Sequence, residues 1–157
     1  FTVLAILSVD RFGRKPLLIT GALIMAISML ILGTSFSAKL PAELKLVCML
    51  TYTAGFAMSW GPVCWVLLSE IFPNSVRSTV MAITVAAQWV SNFLVSWTFP
   101  IMDKNETLVN LFNHGFSYWV YGVLSILAAV FVWKFIPETK GKTLEDMEQL
   151  WKSSRKE

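Results

Sequence analysis

Four long runs almost free of charge, separated by short stretches that hold nearly all of it, set the plan of this chain. The runs cover residues 16–38, 46–69, 78–102 and 115–136. A helix rises 1.5 Å per residue, so about 20 residues cross a bilayer core of about 30 Å. Each run is therefore predicted to be a membrane-spanning helix, and the fold class is an all-α membrane protein. Residues 1–9 are apolar too, but nine helical residues cover only about 14 Å. They are expected to be the end of a truncated membrane helix rather than a signal peptide, because no basic segment precedes them. The connections at 10–15, 39–45, 70–77 and 103–114 are short, which implies antiparallel neighbours. Residues 137–157 form a tail. Pro16 suits a first helical turn and Pro137 a stop.

Composition agrees with that plan. The chain has 157 residues, of which 55% are hydrophobic and 15% charged, with a mean hydropathy of +0.62. A soluble domain carries about 25% charge. No GxSxG, phosphate-binding glycine loop or HExxH is present, so nothing points to an enzyme or a nucleotide cofactor. No cofactor is expected. Cys48 and Cys64 lie inside apolar runs and read as small packing residues, and the single His114 has no ligand cluster around it. The net charge of +3 is small and suggests no nucleic-acid partner; its placement is more informative. Ten Lys and Arg residues fall at one set of ends and three, Lys39, Lys45 and Lys104, at the other. The positive-inside rule puts the first set and the C-terminus in the cytoplasm, and loops 39–45 and 103–114 outside. Asn105-Glu106-Thr107 is a glycosylation sequon on the outer side, of consequence only in a eukaryotic secretory pathway.

The most unusual stretch is 56–77, FAMSWGPVCWVLLSEIFPNSVR. Pro62 lacks an N–H, and its ring clashes with the carbonyl four residues back, so the helix must kink or open near Gly61-Pro62. Trp60 and Trp65 flank that break. In lipid such a defect survives where it faces protein or a water-filled cavity, and a broken helix at mid-membrane points to a binding site. A simple packing kink is the other possibility.

The third run places Thr84, Gln88, Asn92 and Ser96 four residues apart, on one helix face. Amides both donate and accept, which suits the hydroxyls of a neutral sugar. Trp89 and Trp65 offer flat faces for the C–H side of a sugar ring. The same polar face could instead be a hydrogen-bonded seam between helices. No Asp or Glu lies within a run, so a proton-coupling carboxylate is not expected in this stretch.

The charges at the basic ends are Asp10, Arg11, Arg14 and Lys15 in one loop, Glu70 and Arg77 in the next, and Glu138 and Lys140 at the start of the tail. Gly13 would let the first loop turn tightly. Arg–carboxylate forks between these loops would hold helix ends together, whereas solvated charges would only set topology. Spacing by itself favours the solvated case. In the tail, Thr143 with Asp146 looks like a capping box, and Leu144, Met147 and Trp151 share one face of a short helix. Beyond Lys152 a frayed end is equally compatible with the sequence.

Taken together, these motifs resemble a known family. Asp10-Arg11-Phe12-Gly13-Arg14-Lys15 is similar to the D-x-x-G-R-R/K loop of the major facilitator superfamily. WGPVCW (60–65), SEIFP (69–73) with Arg77, and PETKG (137–141) resemble the sugar porter family within it. The resemblance implies a twelve-helix parent in two halves working by alternating access. This chain would be part of the C-terminal six-helix half, from the end of helix 8 through helices 9 to 12. It implies that Trp65, Gln88 and Trp89, with Asn92 one turn on, contact a monosaccharide, D-xylose or similar. It implies that Asp10, Arg14, Glu70, Arg77 and Glu138 form a charge network that closes the cytoplasmic side. A proton would be co-transported through residues outside this chain, in a bacterial inner membrane. Lys15 departs from the arginine of many relatives and loses the guanidinium fork. A facilitative uniporter and a non-transporting sugar sensor are the alternatives.

Overall fold

The computed structural model describes residues 12–72 and 74–136. Among them are six helices and no strand: α1 (Arg14–Ser37), α2 (Ala42–Met58), α3 (Trp60–Ile71), α4 (Asn74–Lys104), α5 (Glu106–Phe112) and α6 (Gly115–Phe135). Four helical segments are long and apolar enough to cross a membrane: Arg14–Ser37, Ala42–Ile71, Val76–Lys104 and Gly115–Phe135. Each overlaps one of the apolar runs read from the sequence; most ends extend by up to about a turn, and two C-terminal ends stop one residue short. The extensions carry charged residues such as Arg14, Glu70, Arg77 and Lys104, which a helix accommodates readily beyond the apolar core. The predicted helix end at 1–9 and the tail at 137–157 lie outside the described residues.

One connection is more ordered than its sequence suggested. Within 103–114 the chain folds into α5, capped by Asn105, whose side-chain oxygen accepts from the N–H groups of Thr107 and Leu108 at 3.1 and 3.3 Å. The sequon triplet thus doubles as a helix start, with Asn at the cap position it favours. Asn113 and His114 then adopt left-handed backbone at the α5–α6 corner, and Asn113 Nδ2 donates to the Ser37 carbonyl at 3.1 Å.

Glycines let the helices approach closely. Gly33 of α1 lies against Gly115 and Trp119 of α6, and Gly122 against Leu30. Gly21 of α1 faces Ser59, at the junction of α2 and α3, and Gly55 faces Ile24 and Met25. Without an appreciable hydrophobic drive between helices in lipid, small residues and backbone proximity supply much of the attraction. A buried cluster of Leu18, Val63, Leu67, Ile71 and Val132 joins α1, α3 and α6, and a second of Ala22, Met25 and Ala129 joins α1 to α6.

Helix α4 stands apart. None of its most apolar window is buried, and Trp89, Phe93 and Trp97 are 60–69% exposed. It meets α6 through Phe99, which packs on Tyr118 and Tyr121, through a 3.2 Å contact between the Thr98 and Tyr121 hydroxyls, and through Asp103, 3.0 Å from His114 Nδ1.

Candidate functional site

The interruption in the second span sits at Ser59, with φ −130° and ψ −82°, two residues before the predicted Gly61-Pro62. The displacement follows from proline chemistry. The ring of Pro62 excludes the carbonyl of Met58, four residues back, so the ladder fails there, while Pro62 itself falls in the first turn of α3, where no N–H is missed. The Ser59 hydroxyl donates to the Gly55 carbonyl at 2.8 Å, and its own carbonyl accepts from Val63 N at 2.9 Å. Beyond the break, the Trp60 indole N–H donates to the Leu18 carbonyl of α1 at 2.9 Å.

Trp60 also borders a cleft of about 460 Å³ between α1, α2, α4 and α6. Its wall includes Met25, Met29, Tyr52, Phe56, Asn92, Phe99, Tyr118, Tyr121 and Ser125. Of the four candidate sugar residues, Asn92 lines this cleft. Gln88 and Trp89 are exposed on α4, Trp89 at 69%, and Trp65 is half-buried on α3; these three are not part of the cleft wall. On the predicted polar face, Thr84 turns its hydroxyl back onto the Val80 carbonyl at 2.9 Å, while Gln88, Asn92 and Ser96 are exposed. The aromatic residues of the wall went unrecognised in the sequence. Tyr118 and Tyr121 are three apart on α6 and so share a face, but nothing in their spacing separates a cleft wall from a packed seam.

Two of the five candidate network charges meet directly. Arg14 forks onto Glu70: Nη2 donates to Oε1 at 2.7 Å, and Nε lies 3.0 Å from Oε2 and 3.2 Å from Oε1. Both side chains are largely shielded, at 14% and 29% exposure, which favours a fastening over two solvated charges. Gly13 caps α1 with φ 91° and ψ 160°, backbone open essentially to glycine alone, and so delivers Arg14 to the first residue of the helix. Arg77 donates from Nη2 to the Phe72 carbonyl at 3.3 Å, and its buried Nε has no partner among the described residues. Asp10 and Glu138 lie outside the described residues. Cys48 and Cys64 are free thiols, and among the described residues no group of three or more acidic, His or Cys side chains is placed to hold a metal ion.

The arrangement offers one amide, Asn92, and a largely aromatic wall to a neutral ligand in the cleft, with Gln88 and Trp89 exposed elsewhere on α4, and a charge fork between α1 and α3. The model of the family described as sugar (and other) transporter matches residues 1–151. The D-xylose-proton symporter of Escherichia coli K12 is 64% identical over 156 residues, covering 99% of this chain and 32% of that protein. The glucose facilitated diffusion protein of Zymomonas mobilis is 51% identical over 155 residues, covering 99% of this chain and 33% of that protein. The chain thus spans about a third of the length of the curated relatives it matches. Among solved structures, a double-tryptophan mutant of the E. coli transporter XylE superposes with a TM-score of 0.91 at 64% identity, over 96% of this chain and 32% of that one. The inward open form of XylE gives 0.86, over 96% and 33%. With a family match over nearly its whole length and a fold shared at high identity, the chain belongs to the sugar transporter family of the major facilitator superfamily.

Proposed function

We propose that this chain forms helices 9 to 12 of a sugar–proton symporter that carries a monosaccharide, D-xylose or a close analogue, across a bacterial inner membrane by alternating access. The observation that carries the proposal is 64% identity over 99% of the chain to a D-xylose-proton symporter; the motif resemblance is what assigns Trp65, Gln88, Trp89 and Asn92 to the sugar. In this mechanism Trp65 and Trp89 stack on the ring, and Gln88 and Asn92 exchange hydrogen bonds with its hydroxyls. The exposure of Gln88, Trp89 and Asn92 suits groups that meet a ligand between two transporter halves. The Arg14–Glu70 fork, in the charge network that the family resemblance extends to Asp10, Arg77 and Glu138, closes the cytoplasmic ends when the site opens outward. The basic tail is then cytoplasmic, as the distribution of Lys and Arg favours. Proton coupling is assigned to residues outside this chain, since its spans hold no mid-membrane carboxylate.

A facilitated-diffusion mechanism is the second reading, favoured by the 51% identity to the glucose facilitated diffusion protein. Uptake of labelled D-xylose by cells expressing the complete gene that encodes this sequence, with and without a protonophore, separates the two. Loss of accumulation with the protonophore supports symport; uptake that persists down the gradient supports the uniporter. Gln88→Ala is expected to abolish uptake with insertion unchanged. Normal uptake by an inserted Gln88→Ala protein overturns the assigned site.

A further inference from the structure

The orientation of α3, and with it of Trp65, is not fixed by a continuous helical ladder from α2. The ladder between them is interrupted at Ser59, and Pro62 offers no N–H to rebuild it. Helix α3 is fastened to α1 instead, in three places. At its first residue, the Trp60 indole N–H reaches the Leu18 carbonyl at 2.9 Å. Along its middle, Val63 and Leu67 pack on Leu18. Near its end, Glu70 receives the Arg14 fork. The polar fastenings are about 15 Å apart along α3 at 1.5 Å per residue. On α1 they fall on residues 14 and 18, one turn apart on one face. Two bonds diverging from one turn of α1 to both ends of α3 make a brace that resists both tilting and axial rotation.

We infer that Trp60 is a positioning residue for the sugar site: its indole N–H, anchored on the Leu18 carbonyl, sets the rotation of α3 that presents Trp65 to the sugar. Trp65 is five residues on from Trp60, about 140° around the helix. The two indoles therefore point to different flanks, one to α1 and one away from it. A backbone carbonyl that already serves its own helix keeps a second lone pair for the indole N–H. The anchor therefore does not break the α1 ladder. Loss of the N–H frees the near end of α3 to turn about the remaining Arg14–Glu70 pin, and Trp65 moves with it. This inference rests on the sugar-symporter reading.

The test uses the complete transporter, purified in detergent, with D-xylose as probe and calorimetric titration as the readout. Trp60→Phe keeps a ring and removes the donor. Incorporating benzothienylalanine at position 60, with sulfur in place of the indole N–H, keeps the full bicyclic volume and removes only the donor. Both are expected to weaken D-xylose binding about tenfold or more, consistent with a dislodged ligand contact, while the melting temperature of the benzothienyl protein stays within a few degrees of the parent. If Trp60→Phe fails to fold, the benzothienyl protein decides the matter alone. Unchanged affinity in the benzothienyl protein overturns the positioning role, whatever happens to stability. Gln88→Ala measured alongside keeps the two readings distinct. If it retains full affinity, the sugar-site assignment itself fails; if it loses binding while the benzothienyl protein does not, only the role of Trp60 fails.

Discussion

Replacing Gly21 by alanine puts a methyl group where Ser59 already stands. An added Cβ at this position would overlap both the Cβ and the Oγ of Ser59. Rotation about χ1 moves the hydroxyl, but the Ser59 Cβ is fixed by the backbone, and Ser59 is fully packed at 2% exposure. Relief requires α1 to part from the α2–α3 junction. Overpacking of this kind costs about 1–3 kcal/mol. Exchanging glycine for alanine inside a helix returns about 0.8–1.0 kcal/mol, so Gly21→Ala is expected to destabilise by up to about 2 kcal/mol. The same change in a Ser59→Gly background meets mainly the Gly55 carbonyl, 3.4 Å away, which is ordinary contact. There it is expected to be neutral, or stabilising by up to about 1 kcal/mol. Ser59→Gly alone loses the 2.8 Å bond to Gly55, a cost of about 0.5–1.5 kcal/mol. Unfolding of the four proteins by increasing SDS in mixed micelles closes the cycle, with an expected coupling of about 1–3 kcal/mol. A Gly21→Ala cost that is the same in both backgrounds would falsify the steric account.

Two further outcomes follow from the same geometry. Arg14→Lys keeps the charge but replaces a fork of three short N···O contacts by one point contact; it is expected to lower stability in the SDS assay by about 1–2 kcal/mol, and equal stability refutes a geometric role for the fork. Asn105→Ala removes the cap of α5 and should destabilise that helix by about 1 kcal/mol, read as faster hydrogen exchange at the Thr107 and Leu108 amides with α1 and α6 unchanged.

The four spans were legible because lipid imposes a long, charge-free run on each of them, and the same constraint made the helix interruption visible through Pro62. Its place at Ser59 was less legible, because proline acts on a carbonyl four residues back rather than at its own position. The short helix α5 escaped notice because Asn105-Glu106-Thr107 carries a modification triplet and a capping signal at once. The Arg14–Glu70 fork could not be settled from spacing, since the partners are 56 residues apart; residue types allowed a fork or solvated charges, and the family resemblance favoured the network. Neither could the cleft beside Asn92. Tyr52, Phe99, Tyr118 and Tyr121 come from three separate helices, and their meeting is a property of packing.

The Gly33–Gly115 contact has a consequence for how the protein is made. Its two partners are roughly 80 residues apart, and at about 5–20 residues per second a ribosome needs several seconds to travel from one to the other. Throughout that interval α1 is in place without the neighbour its glycines are shaped for. Closing so long a loop carries an entropic cost that only the finished contact repays. The first helix of the described bundle must therefore be shielded while the last is synthesised, by the insertion machinery or by transient neighbours. Defects at Gly33 or Gly115 should accordingly appear first as lost yield and rapid turnover in the membrane, before any change in the mature protein can be measured.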